Sequence, residues 1–383
     1  MKIVVAVDKF KGSLSAADVA HHLSIGMTGA APGTEVVQLP VADGGDGTVD
    51  AALAAGYRSS SVDVEGPTGA PVSTYIATLS DRAVVELAST CGLQLLPDGV
   101  PAPMTASSRG VGQAIRAAVE QGARDIVIGV GGSASTDGGA GLLQALGAQL
   151  TDASGAAIGP GATALARLRR ADLQPAAELL IGVDLTLASD VTNPLLGSDG
   201  AAAVYGPQKG ATHQQVLELE ALLGGFVDVL TETDTGASAL AMSPGAGAAG
   251  GAGFAALLLG ARFRPGIDVV LDLVGLDEKL AGADLLVTGE GSLDAQSLQG
   301  KAPVGVAAAG ARRGVPVVAV AGRVTLSETE LAEVGISHAY PLSDLAPDPQ
   351  TSIRDAARLL ETVGARIATD LETLVRPQTN EVR

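Results

Sequence analysis

The chain has 383 residues and a formal net charge of −18, with 24 Lys and Arg against 42 Asp and Glu. An acidic surface of this kind repels nucleic-acid backbones and anionic lipid headgroups, and an aromatic content of 2% leaves few platforms for stacking bases. We therefore expect no nucleic-acid partner and no membrane partner. At roughly 150 residues per domain, the length predicts about two domains.

The cysteine and histidine content bounds the chemistry further. The single cysteine, Cys91, excludes an internal disulfide and any multi-cysteine metal site, and its simplest interpretation is a small buried residue. The four histidines have no metal-type spacing, so a His-based metalloenzyme is disfavoured. Residues 1–6 lead directly into a strand pattern without a signal segment, and no uninterrupted apolar run of about 18 residues occurs. These features predict a cytoplasmic protein.

Along the chain, short aliphatic runs alternate with Ala-rich helical stretches, which is typical of βα units and a mostly parallel sheet. We predict a strand at residues 2–7, a helix capped by Ser15 that reaches about Met27, and a second strand at residues 36–41. The loops that follow these strands lie where α/β folds bind their ligands.

The middle of the chain changes character. Residues 58–90 alternate like a hairpin followed by a strand, which favours a domain boundary near residue 65. Residues 238–253 are glycine-rich and fit either a flexible linker or a helix entrance. The remaining predicted elements are a helix after Ser108, strands at residues 125–130 and 179–183, a helix from Thr212 to about Leu230, strands at 283–288, 315–321 and 338–342, and a helix at 352–374.

Glycine makes up 51 of the 383 residues, so glycine spacings alone carry little information. Two dinucleotide-type fingerprints occur, at residues 129–134 and 245–250, but such a spacing arises about once by chance at this glycine content, so neither is evidence alone. The first follows a strand, and Asp152 lies at a distance suited to a ribose. However, Asp137 lies where the next helix should begin, and its carboxylate would compete with a pyrophosphate for the same N–H groups. A nicotinamide-dependent oxidoreductase therefore stays an alternative.

The six lysines are placed unevenly, because four of them lie in glycine loops: Lys9, Lys11, Lys209 and Lys301. Such lysines can reach a bound anion while backbone N–H groups approach it closely. Carboxylates occupy similar loops after strands, at Asp43, Asp46, Asp137, Asp190, Glu290 and Asp294. Phosphoryl transfer needs cations on phosphates, carboxylates on Mg²⁺ and one carboxylate to take a proton. This combination predicts a phosphate-handling α/β enzyme.

Seven motifs follow one another along the chain: DKFKGS (8–13), ADGGDGT (42–48), GGSASTDGG (131–139), DVTNPL (190–195), GPQKGA (206–211), PGAGAAGG (244–251) and TGEGSLDAQ (288–296). They occur in the order found in bacterial glycerate kinases, and the chain resembles that family from residue 1 to about 375. Three places depart from the family pattern. Lys9 stands where Ser is usual, Asp46 where Glu is usual, and Ser135 with Thr136 where Thr-Asn is usual.

The resemblance implies ATP-dependent phosphorylation of D-glycerate, with 2-phosphoglycerate favoured over the 3-phosphate. It also implies two α/β domains with mostly parallel sheets and an active site in the cleft between them. Residues 1–64 and 286–383 would form one domain, and residues 65–285 the other. A kinase of another small hydroxy acid and a noncatalytic ATP-binding protein are the remaining alternatives.

Residue roles follow from this hypothesis. We predict Asp190 as the general base, with an Asx turn ahead of Pro194 as its structural alternative. Lys11 would hold the glycerate carboxylate or the transferring phosphoryl group, so we place it with the catalytic residues. The predicted substrate-binding residues are Lys9, Lys11, Ser108, Arg109 and Asn193. The predicted ATP-binding residues are Gly131, Gly132, Ser133, Thr136, Lys209, Gly247, Gly250 and Lys301. The predicted Mg²⁺ ligands, direct or through water, are Asp43, Asp46, Glu290 and Asp294.

Overall fold

The computed structural model describes residues 1–375. Within them the strands are β1 (Lys2–Val7), β2 (Glu35–Gln38), β3 (Arg58–Glu65), β4 (Pro71–Leu79), β5 (Arg82–Glu86), β6 (Asp125–Gly129), β7 (Gln149–Thr151), β8 (Arg170–Asp172), β9 (Asp184–Ala188), β10 (Arg262–Arg264), β11 (Leu285–Leu293), β12 (Val317–Val324) and β13 (His338–Pro341). The helices are α1 (Ala16–Ala30), α2 (Thr48–Ala54), α3 (Ala88–Cys91), α4 (Arg109–Glu120), α5 (Ala140–Leu146), α6 (Gln174–Leu179), α7 (Ala201–Tyr205), α8 (His213–Thr231), α9 (Ala237–Ala241), α10 (Ala252–Leu258), α11 (Gly266–Val274), α12 (Leu276–Lys279), α13 (Ala302–Arg313), α14 (Glu328–Glu333), α15 (Pro349–Arg354) and α16 (Ala356–Val375).

The chain divides into two compact units. Unit 1 comprises Met1–Asp43, Asp50–Ala55 and Ile267–Arg383, and unit 2 comprises Gly44–Val49 and Gly56–Gly266. These boundaries differ from the expected ones near residues 64 and 285. Strand β3 belongs to unit 2 because it pairs with β4 along its whole length, and α11 packs into the core of unit 1.

Unit 1 is built on a five-stranded, fully parallel sheet with strand order β13-β12-β11-β1-β2. Both faces are covered, which explains why β1 is a continuous aliphatic run rather than an alternating one. Ile3 and Val5 pack on one face with helices α1 and α16, whereas Val4 and Ala6 pack on the other with α11 and α13.

Unit 2 is built on a six-stranded sheet with strand order β10-β9-β6-β5-β4-β3. Strands β10, β9, β6 and β5 are parallel, whereas β4 and β3 add an antiparallel edge. The alternation at residues 58–90 therefore predicted this hairpin and the following strand correctly. The class is α/β with mostly parallel sheets, as the sequence predicted.

Local helix signals in the sequence are confirmed. The Ser15 side chain accepts a hydrogen bond from the Asp18 N–H and caps α1, and Thr212 forms a reciprocal capping box with Gln215 at the start of α8. Pairs of this kind depend only on residues three apart, so the sequence carries them in full.

The strand expected at residues 179–183 is wrong. Helix α6 runs to Leu179, the chain turns through Gly182 at φ +74°, and β9 begins at Asp184, opposite Asp125 of β6. Pro175 in the first turn favours the helix, and pairing with β6 decides where the strand begins.

The glycine-rich stretch at 238–253 is not a linker, because Ala246, Ala248 and the first residues of α10 are buried in the core of unit 2. Cys91 is also fully buried, and burial raises the pKa of its thiol to about 12, which fits a structural residue. Among residues 1–375, no helix is both long enough and apolar enough to cross a membrane.

Candidate active site

In unit 2, the loop after β6 presents a run of unused backbone donors. Across residues 1–375, the N–H groups of Gly131, Gly132 and Ser133 donate to no protein acceptor. Gly132 has φ +71°, and its carbonyl accepts the Leu93 N–H, so the loop is held from one side only. Successive N–H groups around a left-handed residue form an anion-binding concavity. We call residues 131–133 the 131–133 loop.

Lys209 brings a cation to this loop from a short turn between α7 and α8. The side chain is buried, and its Nζ donates to the Ser133 Oγ at 2.7 Å and to the Ser135 carbonyl at 2.5 Å. Burial lowers the pKa of the ammonium to about 8, although nearby Asp137 acts in the opposite direction. Lys209 is thus still protonated near neutral pH and carries its charge within the protein.

A cavity of about 110 Å³ lies over these groups. Its lining includes Gly131, Ser133 and Lys209, together with Val191 and Tyr205. The unused donors, the buried ammonium and the cavity thus coincide, which suits a small, strongly charged anion such as a phosphate group.

Gly45 and Asp46 of the motif ADGGDGT lie directly against the 131–133 loop. A Cβ added to Gly131 would be 2.5 Å from the Gly45 Cα and 3.1 Å from the Asp46 backbone nitrogen. Only glycine permits this approach, which brings Asp46 next to the loop that carries the unused donors. Residues 44–49, all within unit 2, are called the 44–49 segment.

Asp190 follows β9 at the same end of the sheet. It is half-buried, and its Oδ1 accepts the Gly266 N–H at 3.0 Å. This bond is long-range, in contrast to the local Asx turn that the sequence left open. Gly44 packs against both Gly266 and Ala188, so Asp190 lies in the same neighbourhood as the 44–49 segment.

Asn193 is held by the protein itself. Its side-chain amide donates to the Asp199 carbonyl at 2.8 Å, and its Oδ1 accepts the Tyr205 hydroxyl at 2.7 Å. Its carbonyl also accepts the Gly247 N–H at 2.9 Å. These bonds join the loop after β9 to α7 and to the glycine-rich stretch, so Asn193 organises the wall of the cavity.

Gly247 and Gly250 in the glycine-rich stretch use their N–H groups within the protein. The N–H of Gly247 bonds to Asn193 and that of Gly250 to Gly247. The Gly250 carbonyl accepts the Gly138 N–H at 3.0 Å, and a Cβ at Gly250 would clash with Ser135 and approach Lys209 Nζ to 2.9 Å. Both glycines are predicted ATP-binding residues, but the Gly247 N–H joins the glycine-rich stretch to the loop after β9, and the Gly250 N–H bonds within the stretch.

Two further predicted ligands are used inside the fold. Ser108 is fully buried and donates its hydroxyl to the Asp137 carboxylate at 3.0 Å, and the Arg109 guanidinium pairs with Glu65 at 3.0 Å. Thr136 is also fully buried, with no hydrogen-bond partner for its hydroxyl among the described residues. Within residues 1–375, none of these three lines the cavity above Lys209.

Asp137 occupies the position that a dinucleotide pyrophosphate would need. Its carboxylate accepts the N–H groups of Gly139 at 3.1 Å and Gly141 at 3.3 Å, at the start of α5. Burial raises its pKa, and the bonds from Ser108 partly offset that effect. Asp152, the candidate ribose ligand, instead closes a turn through Ser154 and pairs with an arginine. Both observations disfavour the oxidoreductase alternative.

Unit 1 carries a different set of groups at its strand ends. Asp8 follows β1 and Glu290 lies on β11, which pairs with β1 so that Val7 is opposite Gly289. Burial, followed by the negative charge of Asp43, raises the pKa of Asp8 to about 7, while Lys9 acts in the opposite direction. The sequence singled out Asp43, Glu290 and Lys9, and the structure brings them together around Asp8.

Glu290 is buried and anchored from two sides. The Ser297 hydroxyl donates to its Oε1 at 2.5 Å, and the Lys301 ammonium lies 4.0 Å from its Oε2. Burial raises the pKa of Glu290, whereas the Ser297 bond lowers it. Lys301, a predicted ATP ligand, therefore has a carboxylate partner within unit 1.

Asp294 closes a local turn. Its Oδ1 accepts the Gln296 N–H at 3.0 Å, its Oδ2 accepts the Ser292 hydroxyl at 3.1 Å, and the Gln296 bond is the largest cause of its lowered pKa. Lys11 lies exposed in the tight turn between Phe10 and Leu14. The contacts that Asp294 and Lys11 make within the protein indicate no ligand for either residue.

Asp8, Ser297 and Glu86 are not among the residues predicted from the sequence. Asp8 lies in the motif DKFKGS, where the two lysines rather than the acid suggest a ligand site. Glu86 lies at the end of an aliphatic run, as Asp190 does, but no glycine flanks it. An acid at the end of an apolar run is therefore the signal that points to Glu86.

The comparisons with known proteins agree with these motifs. A family model described as the glycerate kinase family matches residues 3–372. The chain is 40% identical to a glycerate kinase of Bacillus subtilis over 97% of this chain and 98% of that protein. It is 40% identical to a glycerate 2-kinase of Escherichia coli over 89% and 88% of the two chains. A crystal structure assigned as glycerate kinase 2 of Salmonella typhimurium LT2 is similar with a TM-score of 0.84 at 37% identity, covering 97% of this chain and 98% of that one.

Proposed function

Because this chain belongs to the glycerate kinase family, and is thus a kinase, we propose that it transfers the terminal phosphoryl group of ATP to the 2-hydroxyl of D-glycerate. The choice of the 2-hydroxyl is supported by the relative named glycerate 2-kinase. The observation that carries the proposal is the coincidence of the 131–133 loop with the buried Lys209 ammonium. Cytoplasmic location remains part of this proposal.

The ATP phosphates bind at the 131–133 loop. Three unused N–H groups supply directed donors, and Lys209 supplies a positive charge in a buried setting where electrostatic interactions are strong. Thr136, Gly247 and Gly250 contribute by shaping the loops around Lys209 rather than by donating to phosphate.

Asp190 is the general base. Its carboxylate takes the proton from the attacking glycerate hydroxyl while the new O–P bond forms and the bond from phosphorus to the ADP oxygen breaks. The Gly266 N–H fixes the orientation of this carboxylate through Oδ1. The loop that carries Asp190 also contributes Val191 to the cavity, which supports this role.

The metal donors fit a site completed by substrate. Among residues 1–375, no three His, Cys, Asp or Glu side chains are arranged to hold a metal ion unaided. Mg²⁺ is commonly held by one or two carboxylates together with substrate phosphates and water. Asp46 has that chemistry and adjoins the 131–133 loop, so it is our first candidate, followed by Asp43, Glu290 and Asp294. The bound ion would neutralise charge that develops on the transferring group.

Glycerate itself needs a cation for its carboxylate. Lys11 is exposed and Lys9 lies beside Asp8, and these two lysines are our candidates for that role. Ser108 and Arg109 support the fold around Asp137 and Glu65 and would act on glycerate only indirectly.

The proposal is tested by following ADP release from ATP with D-glycerate, L-glycerate, glycolate and lactate, with and without a chelator. The phosphorylated product is then identified by phosphorus NMR. We expect turnover with D-glycerate that requires a divalent cation and yields the 2-phosphate. Faster turnover with another hydroxy acid would show that D-glycerate is not the preferred substrate. ATP binding without consumption would refute the kinase assignment.

A further inference from the structure

Glu86 is a buried carboxylate that the proposed chemistry does not use. It ends β5, is only 5% exposed, and accepts the N–H groups of Gly47 at 3.1 Å and Val49 at 3.2 Å through Oε2. Burying a carboxylate costs free energy unless hydrogen bonds compensate, so a buried carboxylate at this position indicates a specific role for the side chain.

Both donors belong to the 44–49 segment, and Gly47 directly follows Asp46. On its other side, the segment touches the 131–133 loop, because Gly131 approaches Gly45 and the Asp46 nitrogen. Glu86 also pairs with Gly129 across β5 and β6, two residues before Gly131. One carboxylate therefore ties the segment that carries Asp46 to the strand end from which the 131–133 loop leaves.

We propose that Glu86 is a positioning residue that holds Asp46 beside the 131–133 loop and thereby sets the affinity for the divalent cation that accompanies ATP. This inference rests on the proposed function, in which Asp46 faces that cation.

The chemistry of the side chain supports this role. An ionised carboxylate only accepts hydrogen bonds, so one of its oxygens can serve two N–H donors at once through charge-assisted bonds. A glutamine at this position keeps the shape but loses the charge, and one of its two terminal atoms becomes a donor. An aspartate keeps the charge but shortens the reach by one methylene group.

The test is a titration of Mn²⁺, followed by electron paramagnetic resonance, on the full chain in the presence of a non-hydrolysable ATP analogue. In Glu86→Gln we expect the Mn²⁺ dissociation constant to rise by roughly 10-fold, as is typical when a group that orients a metal ligand is lost. The KM for D-glycerate should stay within about twofold, because the residues proposed to bind glycerate, Lys9 and Lys11, are different ones. Asp152→Asn is the matched control, since Asp152 also holds turn N–H groups in unit 2 and is not in the binding machinery.

A merely structural role would lower the thermal midpoint of Glu86→Gln and leave the Mn²⁺ constant unchanged, which would overturn the inference. If Glu86→Gln does not fold, the same Mn²⁺ titration is made on Glu86→Asp. A raised dissociation constant in Glu86→Asp would support the inference, and an unchanged one would overturn it. Adding Glu86→Gln to Asp46→Asn should cause no further loss of Mn²⁺ affinity, because Glu86 acts through Asp46. Additive losses would contradict that route. Absence of glycerate phosphorylation by the wild type would instead refute the proposed function, and this measurement is independent of the Mn²⁺ titration.

Discussion

The two units place opposite chemistry at equivalent points of similar sheets. In unit 2, the end of β6 offers unused N–H groups and the Lys209 ammonium, which suit an anion. In unit 1, the ends of β1 and β11 gather Asp8 and Glu290 near Asp43, which suit cations. The carboxyl ends of parallel strands are a general place for ligands, but the residues there decide which ligand binds.

Burial acts on both sites in the same sense, towards neutrality. It raises the pKa of Asp8 to about 7 and lowers that of Lys209 to about 8. A protein with a net charge of −18 must still bind anionic substrates. A buried ammonium with directed N–H donors provides that locally, where surface charge would not.

The largest effect is expected from Asp190→Asn. This change keeps the shape and removes the base, so kcat should fall by roughly 100-fold or more while ATP binding is retained. Steady-state kinetics and calorimetric ATP binding measure the two quantities. Asp348→Asn in unit 1 is the comparison, because Asp348 caps α15 through the Thr351 N–H and should change kcat far less. Near-normal turnover in Asp190→Asn would end the assignment.

Lys209→Met comes next. It removes charge-assisted bonds to phosphate but keeps an unbranched apolar chain in the buried site, so ATP affinity should fall by roughly 30-fold. Calorimetry on the folded variant gives the value. Lys279→Met, at an exposed lysine of α12 in unit 1, should leave ATP affinity unchanged. Equal effects at both lysines would mean that net charge, rather than the site, governs binding.

The depressed pKa of Lys209 predicts a pH dependence. Below pH 8 the ammonium is charged in the folded protein, and above it the charge is lost, so ATP affinity should fall by up to about 10-fold per pH unit between pH 8 and 10. Calorimetric ATP titrations at each pH measure this fall.

Stability should follow the opposite trend in the same pH window. Between pH 8 and 10.5 the unfolded chain binds more protons at this lysine than the folded protein, so its contribution to the free energy of unfolding rises with pH. Both trends should disappear in Lys209→Met. Their persistence in that variant would show that another group titrates.

The smallest effect is expected from Gly132→Ala. A side chain at φ +71° is strained, and its Cβ would lie 3.2 Å from the Ala88 Cβ, so the 131–133 loop should shift and ATP affinity should fall a few-fold. Gly155→Ala is equally strained at φ +84° but has open space and lies in a turn of unit 2. Calorimetric ATP titrations compare the two variants, and a loss in both would indicate a global rather than a local effect.

What the sequence could predict follows from the range of the interactions. The caps at Ser15 and Thr212 and the α/β class were predictable, because their signals are local or periodic. The glycine and lysine motifs contain the 131–133 loop and Lys209, which the structure brings into contact, and their role in binding ATP stays a prediction. The start of β9 was not predictable, because pairing with β6 sets it.

Side-chain roles inside the site were the least predictable feature. The sequence predicts Ser108 and Asn193 as substrate-binding residues. In the structure the Ser108 side chain bonds to Asp137, and the Asn193 side chain bonds to Asp199 and Tyr205. The same holds for Gly247 and Gly250, whose N–H groups bond within the glycine-rich stretch and to Asn193. Such partners lie up to tens of residues away, so only the folded chain reveals that the groups are already used.

The ATP site at the 131–133 loop is tested most directly by a crystal structure with a non-hydrolysable ATP analogue and Mg²⁺. We predict that the terminal phosphates lie within hydrogen-bond distance of the N–H groups of Gly131, Gly132 and Ser133 and near the Lys209 ammonium, with Asp46 facing the ion. Phosphates bound instead at the strand ends of unit 1, around Asp8 and Glu290, with the 131–133 loop empty, would refute this ATP site.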